Sequence, residues 1–490
     1  MRVLLVSSYE LGHQPLHVAS PAAALLAAGH DVHCWDLAVQ PWAEGGEEVL
    51  DWAEVVGFSV PMHTAMRLAL PAAQAMRARR PGVPICLYGL YAPVSQDMTV
   101  GAVADRVIAG EYEPALVAWV NGVAEAGGRG LAAGGGGPAA AGRGRDAAAV
   151  GGPAGGGPVS VELGRSAFNV PARHLLPPLQ RYARLLVGEE RRLVGYVEAT
   201  HGCSHRCGHC PVPVVYDGRT RTVEESVVLA DVEQLVASGA RHLTFGDPDF
   251  LNRPAHAIRV ARAVHDAFPE LTFDATVKVT HILRHESVWS ELARLGCLFV
   301  VSAFECVDET TLVRLAKGHT GADAARAVDL LREHGIEIRP SFLPFTPWTT
   351  LSQVADLVGF VAAHDLVPNV DPVHYSIRLL IPDGSLLLRR ADLAPHLDGY
   401  DAGALSWAWH NPDPRVDALQ AELAGIAEEA ALTGEGVCDT FGRVCEAVGT
   451  AAGRSLQPAA PGGESRARLS EAWFCCAEPT SGQFGALRNG

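Results

Sequence analysis

The stretch "HGCSHRCGHC", from His201 to Cys210, puts three cysteines and three histidines into ten consecutive positions. Cys203, Cys207 and Cys210 have the spacing C-x3-C-x2-C. Thiolates are soft ligands suited to zinc or to iron–sulfur clusters. Structural zinc takes four protein ligands in a closed tetrahedron, usually as two separated pairs. This loop has no second pair downstream, so zinc would need His205 or His209 as its fourth ligand. Three cysteines on a [4Fe–4S] cluster instead leave one iron open to a small molecule, the coordination a reactive cluster needs. The loop by itself leaves both readings open.

The elements around the loop say where it sits. From 193 to about 390, six strand-like runs follow one another: "LVGYVEAT", "HLTFGD", "TFDATVKV", "LFVVSAF", "IEIRPSF" and "VHYSIRLL". Helical patterns separate them, one opened by a capping box over Thr222–Glu225 and another reading "TGADAARAVDLLREHG". Successive βα units predict an α/β fold with a parallel barrel, complete or partial, over 193–395, whose chemistry lies at the carboxyl ends of the strands. The cysteine loop follows the first strand, at that end.

A C-x3-C-x2-C loop in this position resembles the radical S-adenosylmethionine (radical SAM) superfamily. The resemblance implies that Cys203, Cys207 and Cys210 hold a [4Fe–4S] cluster whose open iron chelates the amino and carboxylate groups of SAM. Electron transfer from an external donor of the flavodoxin or ferredoxin type then cleaves the sulfonium to methionine and a 5′-deoxyadenosyl radical, so the cofactor carries the hard chemistry. His209 stands where the family often has an aromatic residue. "FGDPDF" ends the second strand where the family's Gly-rich motif meets the SAM amino group, which makes Gly246, Asp247 and Asp249 candidates; an ordinary turn is the other reading. "VSAFE" ends the fourth strand, with Ser302 and Glu305 as candidates. A buried Glu needs a partner. Arg339 and Arg378, in the fifth and sixth runs, are expected to pair with Glu305 or with the SAM carboxylate, a structural ion pair being the alternative. "LAKGHT" (315–320) also resembles a family segment and receives no role.

Residues 1–124 alternate strand runs ("RVLLVS", "VVGFSV", "PICLYG") with helices, one closed by Gly29, and predict a Rossmann-like parallel sheet. Such a domain before a radical SAM barrel resembles the cobalamin-binding domain of one large subgroup. The loop after the first strand, with His13, would then face cobalamin. The Asp-x-His-x-x-Gly ligand motif is absent, and Gly89-Leu90 replaces the usual double glycine. Residues 125–160 are Gly/Ala-rich and read as a disordered linker, followed by a connecting segment over 161–192.

The region 396–490 is expected to be small, mostly helical or irregular, and ends in "WFCCAEPTSGQ". Vicinal thiols at Cys475 and Cys476 suit reversible redox or capture of a thiophilic element, because the adjacent backbone strains a disulfide between them. "CCAEP" resembles the signature of the CUAEP/CCAEP-tail radical SAM subset. That resemblance implies that Cys476, which matches a selenocysteine in some members, is the reactive position.

The net charge of −16, from 39 Lys+Arg against 55 Asp+Glu, argues against a nucleic-acid partner. No apolar run is long enough for a membrane span, and the opening strand is too short for a signal peptide, so a cytoplasmic protein is expected. The reading is a radical SAM enzyme acting on a small-molecule substrate, with Cys475 and Cys476 assisting. Its alternatives are cobalamin-dependent methyl transfer, transfer of a SAM-derived fragment to a thiol-held soft atom, and, outside enzymes, a zinc-stabilised binding protein.

Overall fold

Why the first sheet forms is plain from its central strands, "RVLLVS", "VVGFS" and "ICLY": short runs of apolar residues buried on both faces, the pattern of a parallel sheet covered by helices. In the computed structural model, which describes residues 1–42, 44, 46–94, 100–126, 157–458 and 466–471, the chain divides into two units. The first takes Met1–Tyr9 and His17–Ser166; the second takes Glu10–Leu16 and the chain from Ala167 onward.

The first unit is a six-stranded sheet built from β1 (Arg2–Ser7), β2 (Asp31–Asp36), β3 (Val55–Ser59), β4 (Ile85–Tyr88), β5 (Arg106–Gly110) and β6 (Val159–Glu162), in the order β2-β1-β3-β4-β5-β6. All its pairings are parallel. Helices Leu16–Ala27, His63–Arg79 and Glu113–Glu125 connect the strands. Gly29 follows the first helix at φ +83°, a left-handed turn that glycine adopts without a Cβ penalty. The strand runs of the sequence correspond to β1, β3 and β4. β2, β5 and β6 add to them, and β6 begins inside the stretch expected to be linker.

The second unit is a seven-stranded sheet. Its strands are β7 (Arg184–Val187), β8 (Glu190–Val197), β11 (His242–Phe245), β12 (Thr272–Thr276), β13 (Cys297–Glu305), β14 (Glu337–Phe342) and the edge strand β17 (Arg468–Leu469). From β8 to β14 the five neighbours run parallel, forming a partial β/α barrel; β7 and β17 pair antiparallel at the other edge. Phe245, Phe273, Val300, Phe304 and Ile338 lie in one buried core with the helices that follow each strand. Two short hairpins complete the unit: β9 (Thr200–Gly202) with β10 (Thr220–Thr222), and β15 (Leu397–Asp401) with β16 (Ser406–Trp409). Helices Pro414–Thr433 and Val437–Ala452 form the C-terminal helical part.

Two expectations are corrected here. The sixth run, "VHYSIRLL", is not a strand: Pro372–Tyr375 is a 3₁₀ turn, and the run contributes an isolated bridge, Phe345↔Arg378, outside the sheet's strands. Pro372 lacks the N–H that a ladder position needs. The Thr222 capping box does not form either. Thr222 pairs with Thr200 in the β9/β10 hairpin, so its backbone is already committed, and the helix begins at Glu225 without a side-chain cap. Capping boxes stand instead at Thr320/Asp323 and Thr350/Gln353.

Glu10–Leu16 lies in sequence between β1 and the first helix yet belongs to the second unit. Its Gly12 carbonyl accepts from the Ala183 N–H at 2.8 Å, and Gln14 donates to the Pro177 carbonyl at 2.9 Å. His13 packs on Tyr196 with ring centroids 4.8 Å apart. Behind them Arg173 is paired with Asp231 through two 2.8 Å bonds, both side chains buried.

Candidate functional site

After β8 the chain turns through β9 into the cysteine loop. Gly202, at φ +71°, makes the turn; a Cβ there would fall 2.3 Å from the Arg219 carbonyl oxygen. The Gly208 N–H donates to the Leu315 carbonyl at 2.8 Å and anchors the far side of the loop. Asn252 Oδ1 accepts from the Ser204 N–H at 3.1 Å and its hydroxyl at 2.8 Å, and the Cys203 thiol lies 3.8 Å away. Cys203 and Cys207 are buried and Cys210 is half-buried. Burial pushes the Cys203 thiol up to about 12. Cys203, Cys207 and Cys210 offer soft sulfur donors from one short loop, and that donor set fits an iron–sulfur cluster.

Asp247 follows β11 and is buried. Its two oxygens accept from the Ala199 N–H at 3.0 Å and the Thr200 hydroxyl at 2.5 Å, which fixes the turn leading into the cysteine loop. Burial pushes its carboxyl up to about 7. Gly246 has no room for a side chain: a Cβ would sit 2.0 Å from the Tyr196 phenol. Asp249 caps the 3₁₀ turn Phe250–Asn252 through the Leu251 N–H at 3.0 Å. Its other oxygen lies 2.9 Å from His281 Nδ1 and 3.4 Å from His205 Nε2. Burial works to raise this carboxyl, but the two histidines outweigh it and hold it below the usual range.

On β13, Ser302 is fully buried and its hydroxyl has no hydrogen-bond partner among the described residues. Glu305 ends the strand at φ +63°, a strained backbone for a non-glycine residue. Its Oε1 accepts from Lys317 Nζ at 2.9 Å and lies 3.0 Å from His209 Nε2, all three side chains buried. Burial would raise the Glu305 carboxyl; Lys317 and His209 overcome it and hold it well below the usual range. Lys317 also interacts electrostatically with Cys207 and Cys210.

This arrangement corrects the expected role of the two arginines toward Glu305. Arg339 donates to Asp371 at 3.2 Å and to the Ala467 carbonyl at 3.4 Å. Arg378 donates to Asp417 at 2.8 Å and to the Trp409 carbonyl at 2.9 Å, with its guanidinium 3.9 Å from the Trp409 ring. Both are thus taken up by carboxylates from later segments. Lys317, His281 and Asn252 were not singled out by sequence reasoning; "LAKGHT" was the one available signal. Cys475 and Cys476 lie outside the described residues.

In the first unit, the Ser7 and Ser59 hydroxyls stand side by side at the carboxyl ends of β1 and β3, buried and without a hydrogen-bond partner among the described residues. Gly89, after β4, has φ +121°, and a Cβ there would meet the Val60 carbonyl at 3.0 Å. Orphaned hydroxyls at the ligand-binding end of a parallel sheet fit a polar group of a bound cofactor.

Residues 197–361 match the family described as the radical SAM superfamily, and residues 2–120 match the B12 binding domain. The chain therefore carries a radical SAM domain behind a B12-binding-like N-terminal domain. No curated protein matches it in sequence. Among solved structures it is similar to the radical SAM methyltransferase TsrM from Kitasatospora setae with tryptophan substrate and a SAM analogue bound, at 21% identity and TM-score 0.56, covering 74% of this chain and 71% of that one. It is also similar to the cobalamin-dependent SAM radical enzyme OxsB with aqua-cobalamin and SAM bound, at 12% identity and TM-score 0.63, covering 88% of this chain and 67% of that one. At these identities the likeness concerns the fold. No described helix is long and apolar enough to cross a membrane.

Proposed function

We propose that the chain is a cobalamin-dependent radical SAM enzyme that transfers a methyl group to a small molecule. The observation that carries this reading is the pairing, on one chain, of a B12-binding match over 2–120 with a radical SAM match over 197–361. The cofactors, when bound, supply one-electron cleavage of SAM and a transferable methyl group.

In this reading Cys203, Cys207 and Cys210 hold a [4Fe–4S] cluster. Asn252 and Asp247 keep their loop in one conformation through the bonds described above. Gly246 and Ser302 border the SAM position, and Lys317 and Glu305 set fixed charges beside the cysteines. Ser7 and Ser59 offer their hydroxyls to cobalamin. The finer resemblance of Cys475–Pro479 to the CUAEP/CCAEP tails supports assigning the vicinal thiols a role on the substrate.

The test is anaerobic. The full chain is reconstituted with iron and sulfide, given cobalamin and SAM with a strong reductant, and its products are identified by mass spectrometry. Corrinoid uptake with cobalamin-dependent formation of S-adenosylhomocysteine, absent in Cys203→Ala, is the expected result. 5′-Deoxyadenosine formed with no corrinoid bound would remove cobalamin from the proposal. Zinc without iron or labile sulfide would remove the cluster as well.

A further inference from the structure

His205, Asp249 and His281 come from three different segments: the cysteine loop, the turn after β11, and the helix Val279–Arg284 after β12. One ligand atom of each, His205 Nε2, an Asp249 carboxylate oxygen and His281 Nδ1, lies within 4.8 Å of the other two. Asp249 Oδ2 is the common vertex, 2.9 Å from His281 Nδ1 and 3.4 Å from His205 Nε2. Despite these distances, neither nitrogen has a hydrogen-bond partner among the described residues. Asp249 and His281 are buried, with side-chain exposures of 2% and 6%. The rings of His205 and His281 lie 4.4 Å apart, centroid to centroid.

Two buried nitrogens directed at one carboxylate oxygen without hydrogen-bond alignment are costly as a simple contact. The two spacings to the carboxylate oxygen are close to those a metal ion imposes, since bonds of about 2.1 Å at tetrahedral or octahedral angles put neighbouring ligand atoms about 3.0–3.4 Å apart; the two histidine nitrogens lie within 4.8 Å of each other. Two imidazoles and one carboxylate are the ligand chemistry of a borderline divalent cation, and three protein ligands leave a coordination position open.

The geometry points to a mononuclear divalent-metal site of the Zn²⁺ class on His205, Asp249 and His281, separate from the three cysteines. The ion ties the cysteine loop to the turn after β11 and to the helix after β12. It uses His205, which stands between two of the cysteines, and none of the thiols.

The full chain, purified anaerobically with its cluster reconstituted, is dialysed against Zn²⁺ and then metal-free buffer. Zinc, iron and labile sulfide are counted in the same sample. One zinc per chain beyond the iron is expected, reduced at least tenfold in retention by His281→Ala and by His205→Ala while labile sulfide stays. A Cys203→Ala/Cys207→Ala/Cys210→Ala chain should keep its zinc, and Co²⁺ in its place should show d–d bands without sulfur-to-cobalt charge transfer. Should that triple variant fail to fold, the two histidine variants decide alone. No zinc in the cluster-loaded chain, or zinc unaffected by both histidine variants, overturns the site. Absence of labile sulfide bears on the cluster, and zinc is counted independently of it.

Discussion

Lys317 Nζ lies 2.9 Å from Glu305 Oε1 in a fully buried setting, and that carboxylate closes β13 in a left-handed backbone conformation. An ion pair of this kind is weak as a source of net stability, because desolvating both charges offsets their attraction. Breaking it from one side is different, since the remaining charge is buried alone. Lys317→Met is therefore expected to destabilise the second unit by about 3–5 kcal/mol. Lys317→Met combined with Glu305→Gln should recover most of that loss. Urea unfolding of the three proteins, without added cofactors, measures both values.

Gly246→Ala puts a methyl group where the Tyr196 phenol stands. The ring must move, at about 1–3 kcal/mol. Because Tyr196 is the obstacle, Tyr196→Ala and Gly246→Ala should be strongly non-additive: in the double variant the alanine at 246 should cost almost nothing further. Thermal midpoints of the two single variants and the double variant give the coupling.

His13 is buried against Tyr196, with Asp274, His242 and Arg173 as the charged or titratable groups around it. Burial lowers its pKa from 6.5 to about 4, the Asp274 carboxylate opposing that shift and His242 and Arg173 adding to it. The unfolded chain thus binds more protons than the folded one between those values. Stability is complete above about pH 6.5 and falls as the pH drops through the window, by at most about 3 kcal/mol from this group. His13→Phe, which keeps a ring against Tyr196, should flatten this part of a stability profile measured from pH 4 to 7.

Among the described residues the Ser7 and Ser59 hydroxyls have no hydrogen-bond partner to lose. Ser59→Ala should therefore leave the chain without corrinoid equally stable or more stable by up to about 1 kcal/mol, since it removes an unsatisfied buried group. Cobalamin uptake should weaken in the same variant. Thermal midpoints with and without added cobalamin test both signs; stabilisation by cobalamin undiminished in Ser59→Ala would detach this serine from the cofactor.

Asn252 holds Ser204 through two bonds to one oxygen. Asn252→Ala frees the loop of contacts worth about 1 kcal/mol each. The reconstituted cluster should then be lost to a chelator several-fold faster, read from the decay of its visible absorbance, while the unfolding midpoint moves little.

Much of this was readable from the chain. Five strands of the second unit announce themselves as apolar runs at regular spacing, and the cysteine loop follows the first of them as expected. "VHYSIRLL" has the same composition but contains no ladder, because the preceding Asp371-Pro372 bends the chain into a 3₁₀ turn. β5 and β6 carry small or few apolar residues, and tertiary pairing decides them, β5 on β4 and β6 on β5. The site is legible where a motif carries its residues, as for Cys203, Asp249 and Glu305. It is not legible where a partner arrives from a distant segment: Lys317 on Glu305, Asp417 on Arg378, Asp371 on Arg339, His281 on Asp249. No periodicity in a single sequence encodes such pairings.

The excursion of Glu10–Leu16 into the second unit bears on how the protein is made. A ribosome completes β1 and the helix Leu16–Ala27 long before Arg173, Ala183 and Tyr196 emerge. Until then Gly12, His13 and Gln14 lack the contacts that Ala183, Tyr196, Pro177 and Arg173 supply, although the strand and helix on either side of them can already be in place. The segment Glu10–Leu16 therefore waits during synthesis for the rest of its own unit. No single cut in the chain separates the two units: a fragment beginning at Ala167 lacks the segment Glu10–Leu16 of its own unit, and one ending at Ser166 carries that segment without the residues it pairs with.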